Sequence, residues 1–112
     1  MIPSQMLKGI LQGSVLAIIG QRETYGYEIS QALARRGFGA ISEGTIYPLL
    51  LRLEKGGLIS ARFLASDQGP KRKYYTLTPQ GLQALEEFQL SYRELRAAVD
   101  RLPGFDKEED HE

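Results

Sequence analysis

Apolar residues in the first half of the chain recur at helical spacing in three separate segments. The first segment, residues 5–20, predicts a single helix with one apolar face. Leu16 and Ile19 lie off that face, which indicates a second covered side, for example against another subunit. The second segment, residues 25–36, predicts a helix for which Thr24 is the candidate N-cap.

The third segment, Ser42 to Gly57, predicts a helix with two distinct faces. Ser42 suits the N-cap position, because its hydroxyl oxygen accepts a hydrogen bond from a first-turn N–H group. Pro48 removes one backbone hydrogen bond within the helix, at a cost of about 3 kcal/mol. We expect one helix with a local distortion, and a regular helix that starts near Tyr47 is the alternative. The apolar face consists of Ile46, Leu49, Leu50 and Leu53.

Two strand patterns follow at Leu58–Ala65 and Lys73–Thr78, with a polar loop containing Gly69 and Pro70 between them. They predict a β-hairpin with a basic tip. Three helices followed by such a hairpin predict a mainly α fold with a small β-hairpin, a winged helix-turn-helix with a two-stranded wing. We assign residues 1–78 to this domain.

A long helix is predicted over residues 79–103, because Thr78 suits its N-cap and Pro79 its first position. Its apolar residues are spaced alternately by three and four, as in a coiled coil. Because the rest of the domain is too small to bury the whole seam, we expect a second chain to cover it. The alternative is that the seam folds back on the first helix of its own chain. The seam consists of Leu85, Phe88, Tyr92, Leu95, Val99 and Leu102.

The net charge of zero conceals an uneven distribution along the chain. Residues 1–81 hold ten Lys or Arg and five Asp or Glu, whereas residues 82–112 hold four and nine. A basic body suits an anionic partner such as nucleic acid, and an ordinary solvated surface with a solubilising tail is the other interpretation. Residues 104–112 predict an acidic disordered tail, in which His111 is incidental.

The residue types present do not favour an enzyme. The chain has no cysteine, its single histidine lies in the tail, and no glycine-rich phosphate loop or enclosed pair of carboxylates is found. We therefore expect no catalytic site, no cofactor and no metal. The apolar run at residues 15–19 is too short to cross a membrane, and without a signal peptide a cytoplasmic location is expected.

Four sequence blocks resemble one family. They read LKGILQGSVLAII, YGYEISQAL, SEGTIYPLLLRLEKGGLI and GPKRKYYTLTPQGLQAL, and together they cover residues 7 to about 95. In this order and spacing they resemble the PadR-type transcriptional regulators, in the compact subgroup with a single C-terminal dimerisation helix. The resemblance implies a dimeric DNA-binding repressor, often released by a small effector or by stress. It also implies a third helix in the major groove and a wing on flanking DNA.

Candidate DNA contacts come from three places. The wing tip offers Lys71, Arg72 and Lys73 to phosphates, and strand alternation predicts that the last two point to opposite sides. For Tyr25 core packing is an equal alternative, and Arg52 has the alternative of pairing with Glu54. The remaining candidates are Tyr27 at the start of the second helix, and Ser42, Thr45 and Tyr47 in the third.

Two further sites concern assembly. The resemblance implies a dimer interface formed by the seam and the first helix, including Leu11. Val15, Phe88 and Tyr92 are candidates to line a cavity for a small hydrophobic or aromatic effector, and plain interface packing is the alternative. A two-fold dimer predicts a pseudo-palindromic operator with half-sites about 10 bp apart. A winged helix used for protein–protein interaction, without specific DNA binding, is the alternative function.

Overall fold

The computed structural model describes residues 1–67 and 69–105. The prediction of a disordered tail therefore lies, with His111, largely outside the described residues. A π-helical turn, Ala34–Phe38, continues the helix that begins at Gly26. The other elements, in chain order, are α1 Ser4–Leu7, α2 Leu11–Gln21, β1 Thr24–Tyr25, α3 Gly26–Leu33, α4 Glu43–Lys55, β2 Ile59–Leu64, β3 Arg72–Leu77 and α5 Pro79–Asp100. The predicted class, mainly α with a small sheet and a long C-terminal helix, is confirmed.

The core forms where α2, α3 and α4 meet. All four residues of the α4 stripe are buried there, as predicted. Leu16 and Ile19 are also buried, against this chain's own elements, so they need no second subunit. The expected single helix over residues 5–20 is wrong, because a turn at residues 8–10 separates α1 from α2. Gly9, a poor helix former, lies in that turn.

A third strand, β1, was not predicted from the sequence. It lies beside β3, so that the sheet order is β1-β3-β2 and both pairings are antiparallel. Thr24 therefore belongs to a strand and is not the N-cap of α3; that position falls to Tyr25. A two-residue strand has no periodicity, so no sequence pattern reveals it.

The helix α4 runs without a break through Pro48, in agreement with the predicted single helix. Pro48 has no N–H group to donate to the carbonyl of Gly44, which is an exposed residue. Ser42 has the extended backbone of an N-cap, yet its side chain bonds no backbone N–H group. Its Oγ instead lies 3.2 Å from the Oγ1 of Thr45, so the predicted capping bond is absent.

Only the first half of α5 packs against the body. Leu85 is buried, and Phe88 lies on α2 where Gly13 has no side chain to obstruct its ring. The seam therefore folds back on its own chain here, which was the alternative expectation. Further along, Tyr92 is 42% and Leu95 is 55% exposed. The protruding helix accounts for the elongated shape, 57 × 28 × 22 Å.

The junction between β3 and α5 is tightly joined to the end of α4. Thr78 Oγ1 accepts from the N–H of Gly81 at 3.0 Å, which confirms the predicted N-cap. The same hydroxyl donates to the carbonyl of Gly57 at 2.6 Å. A side chain at position 81 would collide with the carbonyl oxygen of Leu58. The start of α5 is thereby fixed against the residues that follow α4.

We predict that Gly81→Ala destabilises the domain by about 1–3 kcal/mol, because the added methyl group meets backbone that cannot move aside. Urea unfolding followed by circular dichroism measures the change. Gly9→Ala is the matched control, since no heavy atom lies within 4 Å of the position that its new methyl group would take. An equal loss of stability in both variants would contradict this account of the junction.

Candidate nucleic-acid interface

The outer face of α4 is a polar surface. It faces away from the core because the apolar stripe on the opposite side of the helix is buried. Ser42, Thr45, Tyr47 and Arg52 are all exposed. Arg52 has no acidic partner within 4 Å in the described part of the chain, and Glu54 pairs elsewhere. The proposed Arg52–Glu54 pair is therefore wrong, because residues two apart on a helix do not face each other.

Gly26 sets the position of Tyr47. A Cβ atom at Gly26 would lie 2.7 Å from Cε1 of the Tyr47 ring, so the ring occupies the space that a side chain would need. Gly26 is buried at the start of α3, whereas Tyr47 remains 45% exposed. The contact joins α3 to α4 and leaves the phenol accessible from solvent. Sequence patterns do not reveal this role, because a glycine carries no periodic signal.

Arg72 lies against the aromatic pair that joins the wing to α3. Its guanidinium carbon is 4.6 Å from the centroid of the Tyr25 ring. Tyr25 in turn meets Tyr74 edge-to-face with centroids 5.1 Å apart. A hydrogen bond with Tyr74 is the main cause that raises the pKa of Arg72 above its ordinary value. Tyr25 is half-buried, so core packing, the alternative to a DNA contact for this residue, applies in part, and the DNA contact stays a prediction.

Lys73 points to the opposite side of the hairpin from Arg72, as strand alternation predicts. Its Nζ lies 2.8 Å from Oε1 of Glu54 on α4, and this bond raises the pKa of Lys73. It also lies 5.7 Å from the ring centroid of Tyr75, which is buried. The prediction of a DNA contact for Lys73 is therefore not retained, because its charge is already paired within the chain.

The remaining candidates differ in accessibility. Lys71 is exposed in the loop before β3, and Tyr27 is 54% exposed near the start of α3. A pair that the sequence did not suggest lies beside the wing: Arg62 donates two hydrogen bonds to Glu23, at 2.6 and 2.7 Å. The hydrogen bond from Arg62 lowers the pKa of Glu23. This bidentate pair joins β2 to the segment before β1.

The assembly candidates separate into two groups. Leu11 and Leu85 are buried in the chain's own core, so a dimer contact through their side chains is not supported. Val15 is 0% exposed in the same core, so its side chain is not accessible to an effector in this chain, and its place in an effector cavity stays a prediction. The ring of Phe88 stacks with that of Tyr92 at a centroid distance of 6.3 Å. The distal seam residues Tyr92, Leu95 and Leu102 are exposed, and Val99 is half-exposed.

Two negative observations apply to residues 1–67 and 69–105. No three His, Cys, Asp or Glu side chains come together there as a metal ion would require. Over the same residues, no helix has the length and apolar character needed to cross a bilayer.

Comparison with known proteins identifies relatives of the whole domain. The model of the transcriptional regulator PadR-like family matches residues 15–87. The crystal structure of a PadR-like transcriptional regulator from Bacillus cereus has a TM-score of 0.80 and 52% identity, over 89% of this chain and 97% of that chain. A transcriptional regulator of Mycobacterium tuberculosis is 36% identical over 85 residues, 76% of this chain and 78% of that protein.

A third comparison includes nucleic acid. The crystal structure of Bacillus subtilis PadR in complex with operator DNA matches with a TM-score of 0.66 and 27% identity. The match covers 74% of this chain and 48% of that chain, so the two proteins share the domain and not their full length.

We predict that Tyr25→Leu lowers the free energy of unfolding by about 1 kcal/mol, because it removes the edge-to-face pair with Tyr74. Chemical denaturation measures the difference. Tyr27→Leu is the matched control: Tyr27 is exposed, and we expect its replacement to change stability by less than about 0.5 kcal/mol. Equal effects of the two substitutions would show that the aromatic pair adds nothing.

Proposed function

Because the chain belongs to the PadR-like family of transcriptional regulators, as its four sequence blocks predict, we propose that it represses transcription as a homodimer bound to operator DNA. The exposed polar face of α4 carries this proposal. The outer face of a helix in a helix-turn-helix is the part that reaches base edges. A protein that binds operator DNA in this way acts in the cytoplasm, where that DNA is located.

In this proposal α4 enters the major groove. The hydroxyls of Ser42 and Thr45 lie at its N-terminal end, 3.2 Å apart, where they meet base edges or phosphates together. Tyr47, held by its contact with Gly26, lies on the same exposed side of the domain. Arg52 is two turns further along and contacts phosphate, for which its unpaired charge is suited.

The wing and the start of α3 contact the DNA backbone. Lys71 is the exposed cation of the wing loop and binds a phosphate. Tyr27 contributes a phenol hydroxyl beside the first N–H groups of α3. Arg72 acts mainly by holding the wing to Tyr25, so its contribution to binding is one of position.

The dimer forms through the distal half of α5. Tyr92, Leu95 and Leu102 form an apolar face that this chain leaves exposed, and a second copy offers the same face for a two-fold interface. The covered half of α5 is fixed to the residues after α4 by the junction at Thr78. The angle between the two helices α5 thereby determines the spacing of the two helices α4.

An effector that alters this angle releases the DNA. Phe88 and Tyr92 stack at the point where α5 leaves the body, which is where a small hydrophobic or aromatic compound changes the helix pairing with least disruption of the core. The competing function, a winged helix that binds another protein, does not require Arg52 and Lys71, which have no carboxylate within 4 Å among residues 1–67 and 69–105. Binding to random duplex DNA at low salt distinguishes the two functions.

We predict that selection from a random duplex pool yields a pseudo-palindrome with half-sites about 10 bp apart. Thr45→Ala is expected to weaken binding to the selected site about tenfold, while binding to random DNA changes little, because base contacts carry the sequence. Fluorescence anisotropy with labelled duplexes measures both affinities. Enrichment of no sequence, together with no binding to random duplex, would favour the protein-interaction function.

The dependence of affinity on salt tests the wing. We predict that Lys71→Ala reduces the slope of log affinity against log salt by about one unit, as loss of one phosphate contact requires. Lys73→Ala is the matched control two residues away on the paired side, and its slope is expected to stay that of the wild type. A smaller slope for Lys73→Ala alone would reverse the roles assigned to the two residues.

For the dimer we predict that Leu95→Glu yields monomers and abolishes specific DNA binding, since it places a charge in the apolar seam. Light scattering after size-exclusion chromatography measures the mass. Leu90→Glu is the matched control: Leu90 is 61% exposed and lies about 140° around the helix from Leu95. A monomeric wild type, or dimers in both variants, would contradict the proposed interface.

A further inference from the structure

A cleft of about 790 Å³ lies between the end of α2 and the outer face of α3, away from the polar face of α4. Buried Ile18 and Ala32 contribute apolar surface to it. The side chains of Arg22, Arg35 and Arg36 surround it. The volume is within the range of small-molecule sites, about 300–1,000 Å³.

The positive charge around the cleft is not balanced by neighbouring carboxylates. Its lining holds three arginines and one acid, Glu28, which is a net charge of +2. Glu28 accepts a hydrogen bond from Thr24 at 2.8 Å. In the described part of the chain, neither Arg22 nor Arg35 has a carboxylate within 4 Å. A concave surface with unpaired cations concentrates anions.

Glu23, which follows Arg22 in the sequence, is also occupied. Glu23 is held by both hydrogen bonds of Arg62, on the wing side of the chain. Arg36 donates to the carbonyl of Ala32 at 2.9 Å and so stays at the cleft with its remaining N–H groups available. The guanidinium groups therefore have both the charge and the free donors for an anionic ligand.

The charge and the lining together select the type of anion. A phosphate monoester carries a charge of about −1.5 to −2 at pH 7, which matches the net charge of the lining better than a single carboxylate does. Guanidinium groups bind phosphate oxygens with two parallel hydrogen bonds. The cleft is larger than a phosphate needs, and Tyr27, which is 54% exposed, gives it an aromatic surface on which a base stacks.

The geometry points to a second binding site in this protein: a cleft between α2 and α3 that takes a mononucleotide, with the phosphate at Arg22 and Arg35 and the base on Tyr27. This site is separate from the proposed effector position at Phe88 and Tyr92, but it shares Tyr27 with the proposed DNA contact, so a nucleotide and DNA compete for that side chain. Tyr25 is one of its lining residues, and the guanidinium of Arg72 lies over the Tyr25 ring. A ligand in the cleft would therefore lie next to the contact that holds the wing.

AMP, adenosine and inorganic phosphate are the probes, titrated into the full chain by calorimetry. We expect AMP to bind at least tenfold more tightly than either of its parts. Arg22→Ala and Arg35→Ala are each expected to weaken AMP binding at least fivefold, and Arg35→Lys to have an intermediate effect, since lysine keeps the charge without the planar pair of donors. Arg93→Ala is the matched control, an exposed arginine on α5, and is expected to leave binding unchanged.

Four results would overturn the proposal. They are no binding of AMP, AMP binding no tighter than phosphate, equal affinity in the two alanine variants and the wild type, and loss of affinity in the Arg93 control. Duplex DNA as a fourth probe separates a DNA contact from a nucleotide site. A salt slope reduced by about one unit in Arg35→Ala, with no AMP binding to the wild type, would make the cleft part of the DNA interface. Circular dichroism checks that each variant is folded. If Arg35→Ala does not fold, Arg35→Lys still tests the contribution of Arg35.

Discussion

The burial of one face of α4 determines where every other surface of this domain lies. Each apolar side chain of that face contributes about 1.5–3 kcal/mol by leaving water, so the helix cannot rotate about its axis without losing most of this free energy. Thr45 and Arg52 are held outward as a consequence, and Pro48 is tolerated although it removes a backbone bond. The buried residues are Ile46, Leu49, Leu50 and Leu53, each at most 4% exposed.

The wing has its own attachment, which changes the role of its basic residues. A short strand before α3 pairs with β3, and Arg72 lies over Tyr25 in that strand. On the other side of the hairpin Lys73 binds Glu54 of α4. Two of the three cations in the sequence KRK thus hold the wing in place: Arg72, which is exposed but lies over the Tyr25 ring, and Lys73, which pairs with Glu54. Lys71 is exposed and has neither kind of contact in the described residues.

The long helix α5 serves two purposes along its length. Its first half completes the core through Leu85 and is fixed by Thr78 to the residues that follow α4. Its second half has an apolar face that this chain does not cover, which supports the proposed dimer. Under the proposed dimer, the junction leaves α5 little freedom, so a change in how two copies pair would be transmitted to the two helices α4. The same rigidity is why the proposed effector position is placed on the seam.

The sequence alone determined the family, the hairpin and the helices other than the division between α1 and α2, because these depend on periodicity and on the order of four motif blocks along residues 7 to about 95. It also identified Thr78 as a cap and Pro48 as interior to one helix. Only the tertiary structure decided which side chains pair. Glu54 binds Lys73 and not Arg52, and Val15 belongs to the core, because partners from different elements meet through packing that no local pattern encodes. Likewise the strand β1 exists only because β3 offers it an edge.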